Sequence, residues 1–148
     1  MSVTLAQATV IVDAALAAGR RDSLQPLTVV VLDAGGHVVC AKREDRSGIV
    51  RFEIAFGKAW GALGMGRPSR DLHEMAQQRP HFVSAVAAAS GGRMIPVAGG
   101  VLLLDADKAV IGAVGVSGDT SDADERCILA GVRAAGLDSA PAADSERG

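Results

Sequence analysis

The chain has 148 residues, a length typical of one domain, and 49% of them are hydrophobic, which is enough to fill a core. Its net charge of −2 argues against a nucleic-acid or membrane-surface binder, because such proteins usually carry a basic patch. No apolar run approaches the roughly 20 residues of a membrane span, and the N-terminus lacks the basic start and apolar run of a signal peptide, so we expect a cytoplasmic protein.

The first part of the chain predicts a helix followed by a β-hairpin. A capping box at Thr4-Leu5-Ala6-Gln7 marks the start of the helix, and Gly19 is predicted to end it. The β-branched stretch Leu27–Asp33 predicts a strand. After a turn at Ala34-Gly35-Gly36, the chain is expected to return as a second strand, His37–Lys42.

The middle of the chain predicts helices. Ile49–Gly66 is apolar or small on nearly every side, which predicts a largely buried helix. Ser69 is expected to cap a short helix that runs through Gln78. Pro80 interrupts this pattern, and a segment of small residues follows to Ser90.

The last part predicts strands, a helix and a tail. Met94–Val97 predicts a short strand, and Gly100–Leu104 with Val110–Val116 predicts a second hairpin. Asp122–Ala135 predicts the last helix, closed by Gly136. Residues 138–148 are polar and small, which predicts a disordered tail after a domain that spans residues 1–137.

The order of these elements predicts the fold class. No long crossover connects the paired strands, so we expect an α+β protein with a central antiparallel sheet of about five strands and helices on both faces. The two cysteines, Cys40 and Cys127, are far apart in apolar surroundings and are expected to be free thiols.

Lys58 is the first candidate for chemistry, because it is the only charge between Glu53 and Arg67. An ammonium group among apolar neighbours must reach solvent, pair with a carboxylate or lower its pKa. The structural alternative is an ion pair or a lysine whose stem is buried and whose head reaches water. The functional alternative is a lysine at the floor of a pocket, where it binds an acidic ligand or acts as a base.

Four acidic side chains crowd the start of the last helix: Asp119, Asp122, Asp124 and Glu125. Carboxylates at this position cap free N–H groups and interact favourably with the helix dipole. They could also form a hydrogen-bonding wall of a small-ligand pocket. Their spacing does not match a calcium loop, and we predict no metal site.

Glycines and a serine near these acids are candidates for backbone contacts with a ligand. Gly99 precedes one predicted strand and Gly100 begins it, and Ser117 follows another strand. The segment lacks the glycine patterns of nucleotide-binding loops, and the nearby acids would repel phosphate. Ser117 is also not in a Gly-x-Ser-x-Gly motif, so a hydrolase nucleophile is not supported.

Loop arginines and histidines complete the candidates. Arg43 and Arg93 lie in predicted loops, and the two-pronged donor geometry of arginine suits carboxylates. His37, His73 and His81 are predicted to be exposed, although His81 could act as an axial haem ligand or a general base.

Together these residues resemble the GlcG/HbpS family, the haem-degrading-domain proteins, which is related to the C-terminal domain of PduO-type adenosyltransferases. The resemblance covers about residues 4–137. It rests on segments whose order and spacing are specific only in combination: Val31-Leu32-Asp33-Ala34-Gly35-Gly36-His37, Arg43-Glu44-Asp45, Ile54-Ala55 with Lys58-Ala59 and Ala62, Gly99-Gly100-Val101, and Ile111-Gly112-Ala113-Val114-Gly115-Val116-Ser117-Gly118 with Asp122, Asp124 and Glu125.

The resemblance implies a profilin-like α-β-α sandwich that assembles as a homo-oligomer. It also implies binding of haem or a related tetrapyrrole in some members, and a link to glycolate or diol catabolism in others. In the diol-linked domain the axial histidine comes from the first helix, whereas this chain has no histidine between Thr4 and Gly19. The remaining candidates for an axial ligand are His37, His73 and His81.

Two functions follow from these observations. The first is a small-ligand-binding protein whose ligand is haem or another tetrapyrrole, with Arg43, Arg93, Gly99, Gly100, Ser117 and His81 as candidate binding residues. The second is an enzyme that acts on a small carboxylate or carbonyl compound. In that enzyme Lys58 and an acid, Asp119 or Glu125, would move a proton, and Arg43 or Arg93 would hold the carboxylate.

Overall fold

The structure, a computed structural model, describes residues 1–142, and within them the chain forms five helices and five strands. The helices are α1 (Leu5–Arg21), α2 (Arg51–Met65), α3 (Ser69–Gln78), α4 (Pro80–Ala89) and α5 (Ser121–Ala134). The strands are β1 (Thr28–Asp33), β2 (Val38–Arg43), β3 (Gly100–Leu104), β4 (Val110–Ser117) and β5 (Asp138–Ala140).

The five strands form one antiparallel sheet in the order β2-β1-β4-β3-β5, which confirms the predicted α+β class. Thr28 pairs with Ser117, and Gly100 pairs with Gly115. The starts of β1 and β3 and the end of β4 therefore lie at the same end of the sheet. The loops that leave this end are the ones that carry the acidic cluster and the glycines at 99 and 100.

Helices cover both faces of the sheet. α1 and α5 pack on one face, where Ile11 and Ile128 belong to a buried cluster with Val29, Val31 and Val114. α2 packs on the other face through its alanines, against a smaller cluster that includes Val30 and Leu32. Alternate residues of β1 thus point into two separate cores, as the period of two in a strand requires.

Small residues let α2 lie very close to the sheet. A Cβ atom at Gly115 would collide with the carbonyl oxygen of Ala55, and one at Gly100 would collide with the carbonyl of Lys58. Backbone therefore packs directly on backbone at these two positions, which fixes the depth of Lys58 relative to the strands.

The predicted capping box is confirmed, but two predicted helix ends are wrong. The side chains of Thr4 and Gln7 each accept a hydrogen bond from the other residue's backbone N–H. α1 continues past Gly19 to Arg21, and the missing side chain of Gly19 gives Leu27 room to pack against the helix. Ser69 is the first residue of α3 and not its cap, since its hydroxyl bonds to the backbone N–H and carbonyl of Gly100 instead.

Two further predictions between residues 79 and 97 are wrong. The small-residue segment after Pro80 is a complete helix, α4, with Pro80 at its first position, where proline is tolerated. Met94–Val97 is not a strand, because the N–H of Ile95 bonds to the carbonyl of Gly57 on α2 and not to a neighbouring strand.

The prediction of a disordered tail over residues 138–148 is wrong at its start. Residues 138–140 form β5 and pair with β3, which places Ser139 opposite Leu103. Residues 143–148 lie outside the described part of the chain. Within residues 1–142, no helix combines the length and apolar character that a bilayer crossing requires.

Candidate functional site

Lys58 lies between α2, β4 and the start of α5, and its ammonium group is paired. The residue is 2% exposed, and Nζ donates a hydrogen bond to the Val116 carbonyl at 2.9 Å. Nζ also lies 3.3 Å from Oδ2 of Asp124, which is 1% exposed. Gly99 closes the remaining side, since a Cβ there would come within 2.8 Å of Nζ. The structural alternative for Lys58, a buried ion pair, is the arrangement observed.

The electrostatics of this pair follow from its burial. Burial lowers the pKa of Lys58 below its usual value, while the charge of Asp124 opposes that shift. Burial raises the pKa of Asp124 above its usual value, while the charge of Lys58 opposes it. Each partner therefore needs the other in order to stay ionised in a water-excluded position.

Asp124 is a residue that the sequence analysis did not select as the partner of Lys58. Its second oxygen, Oδ1, accepts a hydrogen bond from the backbone N–H of Asp119 at 3.1 Å. One carboxylate thus joins the buried ammonium to the loop that precedes α5. The spacing of the acids along the sequence could show that one of them is buried. Which acid that is depends on the rotation of α5 about its axis.

Asp119 and Glu125, the predicted acids, have other partners. Asp119 accepts hydrogen bonds from the backbone N–H groups of Gln25 and Thr120, and the bond from Gln25 is the main reason that its pKa is lowered. Glu125 is buried and accepts from Nε of Arg70 through both oxygens at 3.1 Å. Neither acid has a hydrogen bond or ion pair with Lys58 among the contacts of residues 1–142.

Arg70 is a second residue that the sequence analysis missed. Besides its contact with Glu125, its Nη2 donates to Asp122 at 2.6 Å, so one guanidinium binds two carboxylates on α5. Arg70 lies in the first turn of α3, where the Ser69 hydroxyl anchors the chain to Gly100. This bridge ties α3 to the start of α5.

A cleft of about 400 Å³ lies between α3, the loop before β3 and the start of α5. The residues that line it come from all three of these segments: Arg70, His73, Glu74, Val97, Ala98, Thr120, Ser121 and Asp122. His73 is one turn after Arg70 and is exposed, with its Nε2 3.4 Å from Nε2 of Gln77. The cleft therefore joins one imidazole and two apolar side chains to a rim of charged and hydroxyl groups.

The other two histidines lie elsewhere. His37 is on the β1–β2 turn, where its backbone N–H and ring contact the carboxylate of Asp33. The bond from the His37 N–H is the main reason that the pKa of Asp33 is lowered. His81 is exposed near the start of α4 and is not among the residues that line the cleft.

The candidate arginines are separated in the structure. Arg43, at the end of β2, donates to the Ser47 carbonyl at 3.1 Å and lines an open cleft of about 510 Å³ with Phe52. Arg93 lies beyond α4, where its guanidinium carbon is 4.2 Å from the centre of the Trp60 ring. The two arginines share no partner, so the structure does not bring them to one site.

Ser117, Gly99 and Gly100 are buried. The Ser117 hydroxyl accepts a hydrogen bond from Nη1 of Arg51 at 3.1 Å. Gly99 packs on Lys58, and Gly100 is bonded to Ser69. All three residues therefore have packing or hydrogen-bonding partners within the protein. Their roles as ligand contacts remain predictions.

The antiparallel sheet, covered by helices on both faces, and the cleft lined by His73 define a small α+β protein. Residues 3–133 match the sequence profile of the family described as haem-degrading protein HbpS-like. The chain therefore belongs to the HbpS-like family, as the resemblance indicated. No curated protein sequence shows a significant match to the chain.

Three solved structures share this fold. HbpS is 28% identical, with 90% of this chain and 89% of that chain covered and a TM-score of 0.77. The ORFY protein of Klebsiella pneumoniae is 25% identical, with 90% of each chain covered and a TM-score of 0.79. A PduOC–haem complex is 22% identical, with 93% of this chain and 97% of that chain covered and a TM-score of 0.83, a likeness that shows the fold alone.

Some residues of the cleft suit haem and others oppose it. His73 offers an exposed imidazole, which is a common axial ligand of haem iron. Val97 and Ala98 offer apolar contact. Against these, Glu74 and Asp122 add two negative charges, and Arg70 is already occupied by carboxylates, so the wall disfavours the propionates of haem.

Proposed function

We propose that this chain is a small-ligand-binding protein whose ligand is haem or a related tetrapyrrole. We place the ligand in the cleft between α3 and the start of α5, with His73 as the iron ligand. The observation that carries the proposal is that His73 lines a cleft of about 400 Å³ in a chain of the HbpS-like family. A PduOC structure of the same fold was solved as a haem complex, which supports the choice of ligand.

His73 would take the place of the axial histidine that the first helix does not supply. α1 contains no histidine, and His37 and His81 do not line the cleft. The helix that carries His73 is anchored, because Arg70, one turn earlier, is bonded to Glu125 and Asp122. The protein would thus bind the iron from a helix that is anchored to the sheet and to α5.

A haem titration followed at the Soret band tests this proposal. We expect a saturable shift at low-micromolar haem for the wild-type protein, loss of that shift in His73→Ala, and an unchanged titration in His37→Ala. His81→Ala serves as the second comparison. Loss of the shift in His81→Ala with retention in His73→Ala would overturn the assigned ligand, and no shift in the folded wild-type protein would overturn haem binding.

Among the contacts of residues 1–142, none favours the enzyme alternative. Lys58 is 2% exposed, and its Nζ is engaged by Val116 and Asp124. A substrate would have to enter this buried position before Lys58 could exchange a proton with it.

A further inference from the structure

A smaller groove lies beside α2, apart from the clefts at His73 and at Arg43. It measures about 230 Å³ and opens between the C-terminal halves of α2 and α4. Its walls are largely apolar and include Trp60, Gly64 and Met65 from α2 and Val86 and Ala89 from α4. It shares no lining residue with the cleft proposed for haem, so the two sites can be tested separately.

The groove exists because glycine and alanine occupy the positions that would otherwise fill it. At Gly64 an added Cβ would meet only the Trp60 ring, 3.7 Å away, so the space above this residue is open. Met94 lies below, where it packs close to Gly61. A cavity of about 150 Å³ is large enough for benzene, so a groove of this size has room for a single ring with a small substituent.

Arg93 places a cation next to two of the residues that line this groove. Its guanidinium lies over the Trp60 ring, and its Nε donates to the Ser90 carbonyl at 2.8 Å. Trp60 and Ser90 both line the groove, and Arg93 contacts both of them without lining the groove itself. Among the contacts of residues 1–142, the two Nη groups of Arg93 have no protein acceptor. These donors are the pair that binds a carboxylate side by side.

We propose that this groove binds a small carboxylate with an apolar body, such as an aromatic acid. The ring would occupy the space between α2 and α4, and the carboxylate would accept hydrogen bonds from the Nη groups of Arg93. Tryptophan and methionine suit this role, because both offer polarisable apolar surface to a flat ligand.

Because of the nearby helix ends, Arg93 determines whether the groove prefers an anionic or a neutral ligand. α2 ends at Met65 and α4 ends at Ala89, so the groove lies beside two helix C-termini with partial negative charge. Without Arg93 this field would repel an anion. The site should therefore prefer a carboxylate only while the guanidinium is present, and should prefer the matching neutral alcohol once it is removed.

The only tryptophan of the chain provides the assay, because its single indole N–H gives one resonance in a proton–nitrogen correlation spectrum. Benzoate and benzyl alcohol are the probes, titrated into the full chain. We expect a saturable shift with benzoate at a dissociation constant of about 1 mM or tighter, and weaker binding of benzyl alcohol. Arg93→Gln should weaken benzoate about tenfold and reverse the preference between the probes.

Two groove-filling variants and one charge control complete the design. Gly64→Leu places its Cβ without a clash and extends a side chain into the open space. Ala89→Leu fills the groove from α4 should the first variant fail to fold. Either folded variant should abolish binding, whereas Arg21→Gln on α1 should leave it unchanged. No saturable shift in the wild-type protein, or benzoate binding unaffected by Arg93→Gln and by a folded groove-filling variant, would overturn the proposal.

Discussion

The buried pair of Lys58 and Asp124 predicts opposite pH responses for its two single variants. Lys58→Met keeps the apolar stem of the lysine but leaves Asp124, 1% exposed, without its cation. Asp124→Asn keeps an oxygen for the N–H of Asp119 but leaves the ammonium without its anion. Removing one partner of a buried pair costs about 3–5 kcal/mol, because the other charge stays buried and uncompensated.

The sign of each pH response follows from the direction of the pKa shift. In Lys58→Met the pKa of Asp124, already raised by burial, rises further, because the opposing charge is gone. The folded state then binds the extra proton, and the free energy of unfolding recovers as the pH falls through this raised pKa towards 3.8. In Asp124→Asn the pKa of Lys58 falls further, so the unfolded state binds more protons and stability recovers as the pH rises towards 10.5.

Urea unfolding followed by circular dichroism at about pH 5 and about pH 9 measures both effects. The double variant Lys58→Met/Asp124→Asn is the control. It should lie closer to the wild-type protein than either single variant, because it leaves no buried charge at this position. Single variants that each cost less than about 1 kcal/mol, or that respond to pH in the same direction, would refute the reasoning.

Three further predictions concern packing and reactivity. Gly115→Ala should lower the free energy of unfolding in urea by about 1–3 kcal/mol, because its Cβ would collide with a carbonyl of α2. The matched control Gly64→Ala should raise the free energy of unfolding by up to about 1 kcal/mol. Arg70→Met should lower the stability by about 1–3 kcal/mol, since it leaves a buried carboxylate of α5 without its partner; an unchanged thermal midpoint would contradict this. Cys127 should resist thiol labelling at pH 8 while Cys40 reacts, because burial raises the pKa of Cys127 to about 11; equal labelling rates would show that the core opens.

The sheet and most helices were predictable because their signals are local. The apolar run of β1, the turn at Gly36 and the capping box at Thr4 all depend on residues close in sequence, and the structure has each of them. The errors occur where a distant contact decides. Ser69 bonds to Gly100, 31 positions later, and β5 needs β3 as its template.

The candidate site was predictable only in part for the same reason. An isolated charge in an apolar helix indicated that Lys58 was unusual, but its partner depends on the phase of α5 and on the depth at which α2 packs. The cleft at His73 joins three segments that are far apart along the chain. The position of the cleft depends on the ion pairs of Arg70 with Asp122 and Glu125, which no local sequence pattern predicts.

The late position of β5 has a consequence for the nascent chain. During synthesis β1 to β4 and α5 leave the ribosome before residues 138–140 do. The backbone hydrogen-bonding groups on the β5 side of β3 are therefore unpaired during that time. The edge strand is Gly100–Leu104, a short apolar segment of the kind that pairs with other chains when it is left uncovered. Residues 138–140 therefore protect the edge of β3. A chain truncated before them would leave this edge strand unpaired and free to pair with strands of other chains.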